Sequence, residues 1–138
     1  MGPKAGAATT SQRRPAPETD TAEILTRVAR VVPAIKEASM KIEQDRRIPP
    51  ALLEALHKEK LFRLLLPKDF GGKEIDPLTF FKAISAIAEA DSSTAWCLCQ
   101  ANGCSTASAY VDPHVAEAIW GNDPKAVVAW GPGKAEAV

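Results

Sequence analysis

Two histidines, three cysteines and one tyrosine are all that this 138-residue chain holds of those residue types, and neither charge is in excess, with 17 lysines and arginines against 17 aspartates and glutamates. Formal neutrality excludes the strong field that draws nucleic acid or an anionic membrane surface. No apolar run reaches the ~18 residues of a membrane span. Residues 1–18 place Lys4, Arg13 and Arg14 among Ala, Thr, Ser and Pro without the apolar centre of a secretory leader, so a disordered tail is expected there. No histidine stands at zinc-site spacing from a cysteine, and Cys97 and Cys99, two apart on a helix, would point about 200° away from each other. No metal site is expected, and Cys97, Cys99 and Cys104 are expected as small buried thiols in a reducing cytoplasm. Also missing are a nucleophile beside its base, paired carboxylates and a phosphate loop. Gly71-Gly72 lacks the strand, turn and helix context of a dinucleotide fingerprint and reads as a tight corner.

What is present is a helical pattern. A hydrophobic share of 46% suffices for one core in one or at most two small domains. From Asp20 the apolar residues Ile24, Val28, Val31, Ile35, Ala38 and Ile42 recur at spacings of three and four, and Asp20 with Glu23 resembles a capping box. Pro33 is expected to kink or split this helix. Pro49-Pro50 opens a second helix that buries Leu52, Leu53 and Leu56, with His57 as a surface or packing residue.

The stretch from Leu61 to Trp96 organises the rest. Leu61, Phe62, Leu64, Leu65 and Leu66 are too apolar for a surface loop, and Pro67 forces the preceding helix to end by about Leu65. Gly71-Gly72 supplies a positive φ or a close backbone approach. Asp76-Pro77 starts a helix to about Ala90 whose buried side is expected to be Leu78, Phe81, Ile84, Ile87 and Ala88. The next helix, roughly Thr94 to Tyr110, has no charged residue between Asp91 and Asp112. Such a helix is expected to be enclosed, as the centre of a bundle or the floor of a pocket. Asp112-Pro113 opens a short helix ending at Gly121, with His114 solvated. Ala126 to Trp130 is a strand candidate, broken by Gly131-Pro132-Gly133. The residues alone therefore predict an all-α domain of five or six helices, and they do not reach a reaction.

The order DRRIPPALLEALHKEKLFRLLLPKDFGG, DPLTFFKAISAIAEADSSTAW, a small-residue helix, DPHVAEAIWG and AVVAWGP resembles the N-terminal helical domain of the acyl-CoA dehydrogenase superfamily, from about Asp20 to Gly133. The Asp-Ser-Ser-Thr-Ala-Trp form is more similar to the flavin-dependent monooxygenase branch. The resemblance implies a tail over residues 1–18, the helical domain over 19–121 and the start of a middle β-barrel domain, with its first strand, over 122–138.

It further implies a flavoprotein using FAD or FMN, in which this segment forms one wall of the substrate and flavin cavity. Trp96 would lie near the flavin, and Ala129, Trp130 and Gly131 would approach it from the first barrel strand. Ser92, Ser93 and Thr94 are expected as helix caps. Where monooxygenase members often carry a histidine, about eight residues after the tryptophan, this chain has Cys104. Implied partners are a small-molecule or acyl-thioester substrate, further copies in a homotetramer and, in the monooxygenase branch, a flavin reductase. A two-component FMN-dependent monooxygenase segment and a non-catalytic helical interaction module stand as alternatives. These 138 residues alone are expected to bind flavin weakly or not at all, without turnover.

Overall fold

The computed structural model describes residues 18–131, with side chains from residue 21 onward. The expected tail and the breaking residues Pro132-Gly133 lie outside the described residues, as does the Asp20 side chain of the expected capping box. Five α-helices follow in order: α1 (Glu18–Asp45), α2 (Pro50–Lys58), α3 (Pro77–Ala88), α4 (Ser92–Ser105) and α5 (Pro113–Ala116).

α1 buries Ile24, Val28, Val31, Ile35 and Ile42 on one stripe, as the spacing predicts, with Ala38 partly buried beside them. Pro33 does not split it. Its side chain and the neighbouring Ala29 are on the exposed side, so the carbonyl that loses a helical donor there faces water. α2 ends earlier than expected, at Lys58, because Lys60 takes a left-handed conformation (φ 58°) while its N–H bonds the His57 carbonyl at 2.9 Å. That turn lets Leu61, Leu64 and Leu66 all reach zero exposure, which continued helix would not allow. Gly71 has φ +78°, and a Cβ on Gly72 would lie 1.8 Å from the Leu66 carbonyl oxygen, so the two glycines answer to different demands. The chain leaving this corner pairs back on the turn, through Lys73 N–H to Arg63 O (2.8 Å) and Ile75 N–H to Leu64 O (3.0 Å).

α3 is capped as expected, with the Asp76 carboxylate accepting from the Leu78 and Thr79 N–H groups at 2.9 and 3.1 Å. Its buried stripe differs from the expected one. Thr79, Ala83 and Ile87 face inward against α1 and α4, Ile84 is half-buried, and Leu78, Phe81 and Ala88 are exposed. The helix is apolar on two sides, and the narrower side packs, since small residues let the three helices approach closely. α4 starts from Asp91, whose carboxylate accepts the Thr94 N–H at 2.6 Å and the Ser39 hydroxyl at 3.0 Å. Thus Asp91, and not the serines after it, is the cap.

Among the described residues no strand forms. The segment 126–131 carries no regular structure, and from Val127 onward its backbone N–H groups donate to no other described backbone group. A strand exists only as one side of a ladder, and nothing extended lies beside this one.

Candidate functional site

The deepest organisation centres on the turn between α2 and the glycine corner. Asn102 of α4 is fully buried, and its carbonyl accepts from the Leu64 and Leu65 N–H groups at 2.7 and 3.1 Å. Its amide nitrogen donates to the Leu61 and Leu98 carbonyls at 2.8 and 2.9 Å. All four hydrogen-bonding valences of one side chain are used, so the turn cannot shift along α4. Arg63, also buried, donates to the Phe70 carbonyl (2.8 Å), the Trp120 carbonyl (3.0 Å) and the Asp123 carbonyl. Burial pulls its pKa below the ordinary arginine value. The cation fixes residues 120–123 and so sets where the following segment begins.

That segment is tied once more, by Lys125 Nζ, which lies 2.7 Å from both Glu54 oxygens. The pairing holds the Glu54 carboxyl below its usual range. Residues 127–130 then run past α2 and α4 and leave a cleft of ≈ 590 Å³. Its lining comes from α2 (Leu53, His57), the turn (Phe62), α4 (Trp96, Cys97, Gln100, Ala101) and the segment (Val127, Ala129, Trp130), with Ile48 and Lys125. Three of the four residues singled out from the resemblance, Trp96, Ala129 and Trp130, therefore share one cleft. Gly131 is exposed and stands outside the lining.

α4 is enclosed on one side only, which corrects the expectation. Thr94, Ala95, Leu98, Ala101, Asn102 and Ser105 are buried, whereas Trp96 is 64% exposed and Cys97 and Gly103 face out. An uncharged helix face left open to solvent is what a face covered by further structure would look like without that cover. Cys97 is thus not the buried thiol that was expected, and Cys99 and Cys104 are half-buried. Partial burial, with the Asp91 charge nearby, raises the Cys97 pKa and keeps it a thiol, a poor nucleophile.

His57 sits at the back of the cleft, its ring centroid 4.7 Å from that of Phe62. Burial first, and the Lys125 charge second, push its pKa below the ordinary histidine value and favour the neutral ring. A second cleft of ≈ 360 Å³, which His57 also lines, opens between α2, the glycine corner and Gly121. Neither cleft sets a nucleophile against a base, and among the described residues no three His, Cys, Asp or Glu side chains converge on a metal position. Two indoles and a phenyl ring line the larger cleft, and its lysine is already paired. Sequence reasoning missed Arg63 and Asn102, although one charge inside LFRLLL and one carboxamide four residues after Leu98 were visible signals.

Residues 19–117 match the family described as "Acyl-CoA dehydrogenase, N-terminal domain". The chain belongs to that family. Among relatives of this acyl-CoA dehydrogenase N-terminal domain, the "Flavin-dependent monooxygenase, oxygenase subunit HsaA" of Rhodococcus jostii (strain RHA1) is 34% identical over 97 residues, 70% of this chain and 25% of that protein. The "Indole-3-acetate monooxygenase" of Pseudomonas putida is 33% identical over 66% of this chain and 23% of that protein. The crystal structure of 3-HSA hydroxylase from Rhodococcus sp. RHA1 aligns with a TM-score of 0.71 at 32% identity, over 76% of this chain and 27% of that one. The chain spans about a quarter of the length of these relatives. No described helix is long and apolar enough to cross a membrane.

Proposed function

We propose that this chain is the helical segment of a flavin-dependent monooxygenase and that the cleft between Trp96 and Trp130 is its share of the flavin and substrate cavity. The observation that carries the reading is the open, uncharged face of α4, with its indole turned outward, in a domain whose named relatives are monooxygenases. The cleft's residues fit the ring end of a flavin: Trp96 and Trp130 offer flat apolar surfaces that pack on an isoalloxazine and exclude water. They do not fit its phosphate, since the one lysine there is held by Glu54. A reduced flavin, when bound, would supply the two electrons with which O₂ delivers one oxygen atom to the substrate and releases the other as water.

The chain's own part is to orient and to desolvate. Asn102 and Arg63 hold the walls, the two indoles cover the ring, and Ala129 allows close approach by backbone. A monooxygenase reading favours FMN delivered reduced by a separate reductase over tightly held FAD, in keeping with the words "oxygenase subunit" in a relative's name. Three free cysteines suit a reducing cytoplasm. A homotetramer and an aromatic substrate complete the proposal.

Titration of the purified chain with FMN and with FAD, followed by tryptophan fluorescence and then gel filtration, tests it. Shallow quenching that depends on Trp96 and Trp130, with no colour travelling with the protein, is expected. Quenching untouched by replacing both indoles sinks the cleft assignment, and a tightly held stoichiometric flavin sinks the view that these residues form one wall only.

A further inference from the structure

The cleft is apolar apart from a few side chains, and those few are not equivalent. Lys125 is engaged by Glu54 through both carboxylate oxygens. Cys97 is a weak donor held as the thiol. His57 is left. Its ring is held from one side by Phe62, and its nitrogens bond no other described residue, while the charges of Lys125, Glu54, Arg63 and Asp123 lie around it. A neutral imidazole offers one N–H donor and one bare nitrogen acceptor. Those atoms stay within reach of solvent, so a ligand group can take the place of water there.

We propose that His57 is the specificity-determining group of the cleft, hydrogen-bonding a hydroxyl or N–H carried by a flat aromatic molecule that lies between Trp96 and Trp130. This rests on the cleft being a substrate cavity, and it adds which ligands the cleft prefers. An aromatic ring without a polar substituent would fill the same space while leaving the imidazole unpaired. One with a single donor or acceptor at the ring edge satisfies it. The Phe62 contact serves this role by fixing the imidazole plane, which a surface histidine on a free helix turn would not have.

The probes are p-cresol and toluene, which differ by one hydroxyl, added to the ¹⁵N-labelled chain while the three indole N–H signals are followed by NMR. Trp96 and Trp130 report the cleft. Trp120, buried at 4% exposure, reports whether the fold survives each substitution. p-Cresol is expected to bind about 3–10-fold more tightly than toluene, the worth of one neutral hydrogen bond. His57→Leu should remove that preference and leave toluene binding unchanged, and His57→Gln, which keeps a donor and an acceptor, should restore part of it.

A preference that survives His57→Leu, or a loss shared equally by both probes, overturns the assignment of His57 and leaves the cleft reading standing. Shifts at neither Trp96 nor Trp130 with either probe overturn both.

Discussion

Replacing Asn102 by alanine tests the central claim of the architecture, that one carboxamide locks the 61–65 turn to α4. The substitution removes the acceptor for two backbone N–H groups, at Leu64 (2.7 Å) and Leu65 (3.1 Å), and the donor to the Leu61 carbonyl (2.8 Å). Leu61 and Leu64 have no exposed surface and Leu65 is half-buried, so water reaches the Leu61 and Leu64 groups only by opening the turn. Orphaning a buried backbone group costs roughly 1–3 kcal/mol, which puts those two groups together at about 4 kcal/mol. Against a total stability of about 5–15 kcal/mol for a domain, that is a large share. With a urea dependence of about 1.5 kcal/mol/M, the unfolding midpoint should fall by about 2–3 M, followed by circular dichroism and by the fluorescence of buried Trp120.

Asn102→Asp sharpens the test. The carboxylate could still accept from Leu64 and Leu65, but it would face two carbonyl oxygens and bury a charge, so its folded-state pKa must rise. A raised carboxyl pKa means that the folded protein binds the proton more tightly than the unfolded chain, and the variant should regain stability as pH falls through that value. An Asn102→Ala variant within about 1 kcal/mol of the parent would refute the reasoning, because the four bonds could not then be carrying the turn.

At the glycine corner, Gly71→Ala should cost roughly 1–2 kcal/mol for a left-handed alanine, while Gly72→Ala should fail to fold or lose several times more, its Cβ striking the Leu66 carbonyl. Equal melting temperatures for the two variants would show that the clash is absorbed. Trp96→Ala should leave stability within about 1 kcal/mol, since a largely exposed side chain contributes little, yet weaken flavin quenching; a large loss of stability would mean that the indole is core. The folded pKa of His57 is lowered, so its neutral form is favoured and its contribution to stability is present in full above 6.5 and lost as pH falls below that value. Lys125 and Arg63 push the same way while Glu54 and Asp123 oppose them, and His57→Leu should flatten this part of the stability profile measured by urea unfolding.

Much of the fold could be read from local signals because those signals have local causes. The α1 stripe from Ile24 to Ile42 follows from helical period alone, and the Asp76-Pro77 start follows from capping chemistry. The glycine corner needed two residues without Cβ atoms for two separate reasons, and the residue type announces that need. Where the reading failed, the cause was not local. Leu78 and Phe81 have the spacing of a buried face, but period says only that a face is apolar, not whether its partner lies within residues 18–131. The same limit explains α4: the lack of charge between Asp91 and Asp112 indicates cover, and it does not say that the cover belongs to this domain. Asn102 and Arg63 stand out by residue type, but most of the backbone groups they bond lie 37 to 60 positions away, and local pattern does not say which groups those are.

These failures point in one direction. Residues 18–131 leave Leu78, Phe81, Trp96 and Trp130 exposed at 62%, 68%, 64% and 73%. The same stretch leaves a run of unpaired backbone beside the cleft. Single exposed apolar side chains need no explanation, but here an uncharged helix face, an open aromatic cleft and an unpaired extended segment meet at one place. A surface that completes itself would pair the backbone or dilute the apolar face with charge. This one is instead pinned at its base by Asn102 and Arg63 and left open at the cleft. The open half carries the aromatic cleft, and His57 is among the polar groups that line it.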